Sequence, residues 1–345
     1  MTPRAPETDE ELDERLSEPR DRTARALAEA PGDIVVLGAG GKMGPTLARM
    51  AKRAATLADG NGRRRVIAVS RFSSPGAERT LNAAGVETIP CDLQDGKAVA
   101  ALPDAPNVIY MAGQKFGTRD DPSRTWMLNV VVPAVCAGRY AAARIVAFST
   151  GNVYPLVPVA GGGAGETDPP APLGEYAATC VGRERMFEYA ASARGTRVAI
   201  VRLNYANALR YGVLTDLAAS LMASRPIPLA MGYVNIIWQG DANRAALELL
   251  PLAASPPLVV NVTGTVSLQV RELATALAER LGRVPVFSGV EAADALLSDT
   301  ARMCSLVGEP EMPLETILDW VAAWVRAGRP LLGKPTHFEA RDGAF

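Results

Sequence analysis

The stretch Ile34-Val-Val-Leu-Gly38-Ala-Gly-Gly41-Lys-Met-Gly44-Pro-Thr-Leu47 decides how this 345-residue chain folds. Four apolar residues suit a strand buried on both faces, and a helical pattern over 44 to 57 follows three glycines spaced three apart. Gly38 permits a tight turn, Gly41 lets the backbone approach a pyrophosphate, and Gly44 lets the helix pack close to the strand. The N-terminus of that helix presents backbone N–H groups to an anion. A glycine pattern alone also suits a plain structural turn. Its place between a strand, a helix and a second strand favours the phosphate reading.

Outward from that loop, short apolar runs alternate with helical segments, a rhythm that implies parallel strands joined by crossover helices. The runs are Ile34 to Leu37, Val66 to Val69, Val86 to Ile89, Val108 to Met111, Ile145 to Phe148 and Val198 to Val201. Helical patterns lie between them, near 76 to 84, 95 to 102, 122 to 141 and 174 to 192. The expected fold is α/β, a Rossmann-like doubly wound parallel sheet with a smaller C-terminal substrate lobe. The division reads as a charged, solvated helical arm over 1–31, a dinucleotide-binding domain over 32–205, a lobe over 206–328 and a tail over 329–345. Helices are expected in the lobe near 213 to 224, 241 to 250, 269 to 281 and 314 to 327. Leu258 to Val262 is expected to rejoin the sheet edge. In the arm, Thr8 and Glu11 form a capping pattern, and a second helix starts near Ser17 and stops at Pro31-Gly32.

Composition removes several classes of chemistry. Hydrophobic residues make up 48% of the chain and charged ones 21%, enough apolar material for a large core. A net charge of -1 gives no basic field for nucleic acid or an anionic membrane. No apolar run approaches the roughly 18 residues a transmembrane helix needs. One histidine, His337, and four scattered cysteines leave little material for a metal site or a Ser-His catalyst. A cytoplasmic enzyme using hydroxyls, a lysine, a carboxylate or a borrowed cofactor is the expectation.

The end of the second strand carries Arg71 where an acidic residue would select the ribose hydroxyls of NAD, so NADP is favoured over NAD. After the third strand, Asp92 stands where it can accept a bond from an adenine amino group, with Leu93 beside it.

Continued downstream, these landmarks resemble the extended short-chain dehydrogenase/reductase family, the NAD(P)-dependent epimerases and dehydratases, over about residues 32 to 328. The glycine spacing is the extended-family version, and the resemblance assigns Gly38, Gly41, Lys42, Met43 and Gly44 to cofactor binding. Val108-Ile-Tyr-Met-Ala112-Gly113-Gln-Lys115 looks like the family's Ala-Gly-x-Lys stretch, which implies that Ala112, Gly113 and Lys115 lie near the cofactor. Asn129 matches the structural and proton-relay asparagine. Phe148-Ser-Thr150-Gly-Asn152-Val-Tyr154 matches the segment holding the catalytic serine or threonine, and Tyr176 matches the catalytic tyrosine.

There the match breaks. The family pattern is Tyr-x-x-x-Lys, and this chain reads Tyr176-Ala-Ala-Thr-Cys180. On a helix the two positions share a face, so the family's lysine holds the nicotinamide ribose and lowers the phenol pKa. A neutral thiol does neither. Three readings stay open. Arg183 or Lys115 replaces the cation; or Tyr176 and Thr150 act only as proton and hydrogen-bond donors; or the site binds a dinucleotide as a sensor or scaffold without turnover.

In the lobe, the resemblance places Val234 and the segment Phe287 to Glu291 where nucleotide-sugar enzymes carry diphosphate-binding arginines, and both lack one. The remaining candidates for substrate contact are Asn152, Asn204, Tyr205, Asn207, Arg210, Asn235 and Trp238, with Tyr211 nearby, a set suited to a small polyhydroxylated substrate: a sugar, sugar acid or hydroxy acid. Trp320 and Trp324 share a face of the last helix and are expected in the core. The tail can fold over the cleft or a neighbouring subunit, and the helices over 122 to 141 and 174 to 192 imply a homodimer by analogy.

Overall fold

A computed structural model of the chain describes residues 4–60, 62–73 and 76–343, so the outermost ends of the arm and tail lie outside it. Seven parallel strands form the central sheet: β1 (Ile34–Leu37), β2 (Val66–Ser70), β3 (Glu87–Pro90), β4 (Asn107–Tyr110), β5 (Arg144–Thr150), β6 (Arg197–Leu203) and β7 (Leu258–Val262). Their spatial order is β3-β2-β1-β4-β5-β6-β7. Strand order reverses between β1 and β4, and the crevice outside the carboxyl ends at such a reversal is where open α/β sheets bind ligands. Leu258–Val262 does rejoin the edge, beside β6.

The pleat explains the apolar runs. Ile34 and Val36 enter one core and Val35 and Leu37 the other, all without solvent exposure. Crossing between strands are α3 (Gly44–Asp59), α4 (Ala77–Ala83), α5 (Gly96–Ala100), α6 (Pro122–Trp126), α7 (Val132–Arg139) and α8 (Gly174–Arg194); α1 (Asp9–Leu16) and α2 (Asp21–Glu29) precede the sheet. After it come α9 (Val213–Met222), α10 (Gln239–Glu248), α11 (Val270–Leu281), α12 (Ala301–Val307) and α13 (Leu314–Arg326). Helices α3 and α10 cover the first core, α7 and α8 the second. A third core joins α1, α9, α11 and α13 around Trp238, Trp320 and Trp324.

Two expectations need correction. The arm is not a solvated appendage: Leu12, Leu16 and Leu27 are completely buried, because its apolar positions dock on α3 and the lobe. Thr8 does cap α1, accepting from the Glu11 N–H at 3.1 Å. The helix expected over 122 to 141 is broken by a π turn, Met127–Val131. Pro133 lacks an N–H, so the carbonyl four residues earlier, that of Asn129, loses its helical donor there. Among the described residues, no helix is long and apolar enough to cross a membrane.

Candidate active site

The floor of the crevice is glycine backbone. Gly38 has φ +86°, and a Cβ on it would stand 2.6 Å from the Ala112 nitrogen, so the loops after β1 and β4 touch only because it is glycine. A Cβ on Gly44 would stand 2.4 Å from the Ala39 carbonyl oxygen, which locks α3 against the loop. A Cβ on Gly41 would meet only the Gly38 carbonyl, at 3.4 Å, so the space above it is open. Open backbone at Gly41 beside the first turn of α3 fits a dinucleotide pyrophosphate held by N–H groups. Ala112 and Gly113 adjoin this floor, and Met43 and Leu93 are buried. Asp92 accepts from the Gln94 N–H at 3.0 Å, which holds its carboxyl below the usual range, and exposed Arg71 adds to the effect.

Beside this floor, Thr150 ends β5 and Tyr176 lies in the first turn of α8, and their hydroxyls are hydrogen bonded. The phenol is also bonded to the Cys180 thiol one turn along. Cys180 is completely buried beside Val153, Tyr154 and Ala164, and burial pushes its thiol up. Burial likewise pushes the Tyr176 phenol far above its ordinary range. At neutral pH it is therefore protonated and a poor base.

Arg183 lies along the same helix and its charge pulls the Tyr176 phenol down, against the larger effect of burial. It donates to the Phe148 carbonyl at 3.0 Å and to Asn129 Oδ1 at 2.8 Å, and a Cβ on Gly113 would stand 2.2 Å from its guanidinium. Asn129 in turn accepts from the Gln114 N–H at 2.8 Å, and its amide donates to the Gln114 carbonyl and to Thr179 Oγ1. Both residues brace the loop after β4 from below. Asn129 has no exposed surface and does not line the cavity. Further along α8, Glu184 takes a two-point ion pair from Arg202 of β6, at 2.7 and 3.0 Å, and accepts from Ser149 Oγ at 2.5 Å. This buried pair ties the helix carrying Tyr176 to the sheet carrying Thr150.

Above the phenol lies a cavity of about 170 Å³, lined by Lys42, Lys115, Thr150, Asn152, Tyr176, Asn204, Tyr205 and Tyr211 among others. Lys42 leaves the glycine loop and crosses the crevice: its Nζ donates to the Ala206 carbonyl at 2.7 Å and sits 3.9 Å from the centre of the Tyr211 ring. Burial and the repulsion of Lys115 hold its pKa well below the ordinary lysine range. Lys115 Nζ donates to the Thr336 carbonyl at 3.1 Å, and burial brings its pKa down to about 8.

Thr336 belongs to the tail, which folds over the cleft. Asp216 of α9 accepts from the Thr336 N–H and hydroxyl at 2.7 and 2.6 Å, Phe338 is buried in the lobe, and Arg341 donates to the Ala230 and Asp294 carbonyls.

Residues 34–224 match the NAD dependent epimerase/dehydratase family. The chain belongs to that family. It is therefore an enzyme of the oxidoreductase and epimerase kind, with NAD or NADP as its cofactor. Among solved structures, Pal from Bacillus thuringiensis superposes with a TM-score of 0.72 at 17% identity, over 86% of this chain and 100% of that one. UDP-glucose 4-epimerase from Thermotoga maritima, solved with UDP-glucose, gives 0.70 at 20% over 86% and 99%. UDP-glucuronic acid 4-epimerase from Bacillus cereus, solved with UDP-glucuronic acid and NAD, gives 0.70 at 15% over 86% and 99%. At such identities the likeness is one of fold. No curated protein sequence matches the chain.

Within this family member, the cavity brings together Lys42, Met43, Lys115, Thr150, Asn152, Tyr176, Asn204 and Tyr205. Four residues expected at the substrate lie elsewhere. Trp238 is 1% exposed and packs edge-on against Trp320 at 5.8 Å, because the lobe core closes over it. Arg210 pairs with Asp9 and Asp13 of the arm. Asn207 is fully buried and accepts from the Leu214 N–H at 3.1 Å near the start of α9. Asn235 bridges the Val266 carbonyl and the Ser298 N–H. Asp216 and Thr336, missed from sequence, join the site through contacts across 120 positions that no local pattern encodes.

Proposed function

We propose that this enzyme is an NADP-linked oxidoreductase that reduces a carbonyl on a small polyhydroxylated substrate, a sugar, sugar acid or hydroxy acid. The observation that carries this is the protonated Tyr176 phenol, bonded to Thr150 on the wall of a 170 Å³ cavity at the carboxyl ends of β5 and β6. The bound nicotinamide supplies the hydride. The chain's part is to hold the carbonyl: Thr150 donates a hydrogen bond to its oxygen, and Tyr176 delivers the proton there as negative charge develops. In this reading Asn152, Asn204 and Tyr205, which line the cavity, orient substrate hydroxyls.

Cavity size supports a small substrate, since drug-sized ligands fill pockets of roughly 300–1,000 Å³. Val234, where the family's nucleotide-sugar enzymes would present an arginine, is completely buried in the lobe. Arg71 at the end of β2 supports NADP, as an exposed guanidinium suited to a 2′-phosphate. Exposed Trp126 and Val131 beside α7, with exposed Tyr189 on α8, support a homodimer through these helices.

Cys180 at the lysine position favours one competing reading, a dinucleotide-binding sensor without turnover. Titration of NADPH by its fluorescence, followed by a turnover assay against short keto acids and sugars, separates the two. Binding with NADPH consumption is expected. Binding without consumption by any member favours the sensor, and absent binding overturns both.

A further inference from the structure

The tail that folds over the cleft also roofs a second, smaller hollow. This annex, with about 30 Å³ of room, adjoins the reactive cavity at Asn152 and Tyr205, which line both. Tyr205 stands at the boundary on a left-handed backbone, φ +38°, that bulky residues rarely adopt, and the Asn207 amide holds the turn by donating to its carbonyl at 2.6 Å. Leu156, Leu173, Met231, Leu296 and Ala340 give the annex apolar walls. Met231 and Leu296 belong to a small apolar cluster with Ala295 and Leu297, apart from the three cores of the fold. The polar groups around the annex are already engaged. The Tyr154 hydroxyl accepts from Arg202 at 2.7 Å and donates to Asn261 Oδ1 at 2.9 Å, while the Arg341 guanidinium donates to the Ala230 and Asp294 carbonyls and pairs with the Asp294 carboxylate. The roof is seated firmly: Gly343 lies so close to the Leu173 carbonyl, just before α8, that no Cβ would fit on it.

We infer that this annex receives a short alkyl end of the substrate, on the same small molecule whose carbonyl meets Tyr176 and Thr150. This rests on the cavity being the substrate site proposed above and narrows the substrate to methyl- or ethyl-ended hydroxy carbonyl compounds, deoxy sugars among them. A group of water's size needs roughly 10–15 Å³, so the annex holds about two carbons. A hydroxyl there would find the hydrogen-bonding groups of Tyr154 and Arg341 taken and would lose the bonds it made in water, which disfavours a hydroxymethyl end. Because Ala340 and Gly343 line the annex, the tail sets the length of substrate that the site takes.

The test uses the full chain against hydroxymethyl ketones that differ only in the end beyond the carbonyl, from methyl through ethyl and propyl to pentyl, with dihydroxyacetone as the hydroxymethyl-ended counterpart. NADPH consumption is expected to give a kcat/KM that peaks at the methyl or ethyl end, about tenfold above dihydroxyacetone, and falls about tenfold again by pentyl. Ala340→Leu fills the annex and is expected to bring the ratio of the best alkyl member to dihydroxyacetone down to about one. Met231→Ala enlarges it and is expected to move the peak to a longer end. Opposite shifts from the two walls mark a subsite, whereas lost stability lowers every member alike. A circular-dichroism melt of each variant confirms folding, and Leu173→Ala at an exposed position replaces Met231→Ala where the buried site does not tolerate the change. A flat series, a preference for dihydroxyacetone, or an unshifted peak in folded variants overturns the inference. If no member consumes NADPH, the proposed function falls, and calorimetric titration of the same series reads the annex directly. Tighter binding of the ethyl than of the hydroxymethyl end, removed by Ala340→Leu, then supports the inference, and equal or absent binding overturns it.

Discussion

Two sets of charges flank Tyr176, and they are treated differently. Beneath it, Arg202 and Glu184 are buried and saturate each other, with Ser149 and Tyr154 taking further positions at 2.5 and 2.7 Å. Above it, Lys42 and Lys115 face a cavity, with Lys42 Nζ on the Ala206 carbonyl and Lys115 Nζ on the Thr336 carbonyl. A buried charge answered inside the protein fixes geometry; a charge on a cavity wall stands where a ligand can meet it. The lower set holds α8 against β6, and the upper set lines the cavity.

The largest expected effect lies below. Glu184→Ala leaves the Arg202 guanidinium buried without its partner and is expected to cost about 3–5 kcal/mol in urea unfolding. A cost under about 1 kcal/mol would erase the contrast between the two sets. A smaller effect tests the floor. Arg71→Ala is expected to weaken NADPH binding tenfold to hundredfold, about 1.5–3 kcal/mol, with NADH binding unchanged. Equal losses for both cofactors would remove the basis for NADP.

The smallest effect is a pH dependence from above. Lys115 has a pKa of about 8 in the folded protein, against an ordinary value of 10.5, with Asp216 and Glu339 pulling it up and burial pulling it down. Below about pH 8 both folded and unfolded chains hold the proton, and the folded state bears the full cost of the crowded charge. Above it the unfolded chain binds more protons, so stability rises with pH toward about 10. Lys115→Met lacks this rise. Its advantage over wild type in thermal melts is expected to narrow by about 1 kcal/mol between pH 7 and pH 10. A constant gap would show that Lys115 is not crowded.

The same contrast shows what the sequence makes legible. Strand β1 and its glycine loop are readable because both faces are buried, Gly38 and Gly44 answer close steric contacts, and Gly41 leaves open backbone between them. Thr150 and Tyr176 are readable as a pair through the resemblance to the family's motifs, and the structure sets one at the end of β5 and the other in the first turn of α8. The breakdown at Cys180 was visible, but its consequence was not. The reach of Lys115 into the cavity and the commitment of Arg183 to Asn129 and Phe148 depend on contacts between distant segments. Arg210 illustrates the failure most plainly. Its carboxylate partner Asp9 lies 201 positions earlier, in an arm whose charge pattern suggests a solvated face. Trp238 fails for a related reason, since nothing local tells a lobe-core indole from one that lines a cavity.

The central claim is that Tyr176 donates the proton for carbonyl reduction, and single-turnover oxidation of bound NADPH by a small keto substrate tests it most directly. Tyr176→Phe is expected to slow that step about 10²- to 10⁴-fold while NADPH and substrate affinities stay unchanged. A phenylalanine variant that turns over at the wild-type rate would contradict it.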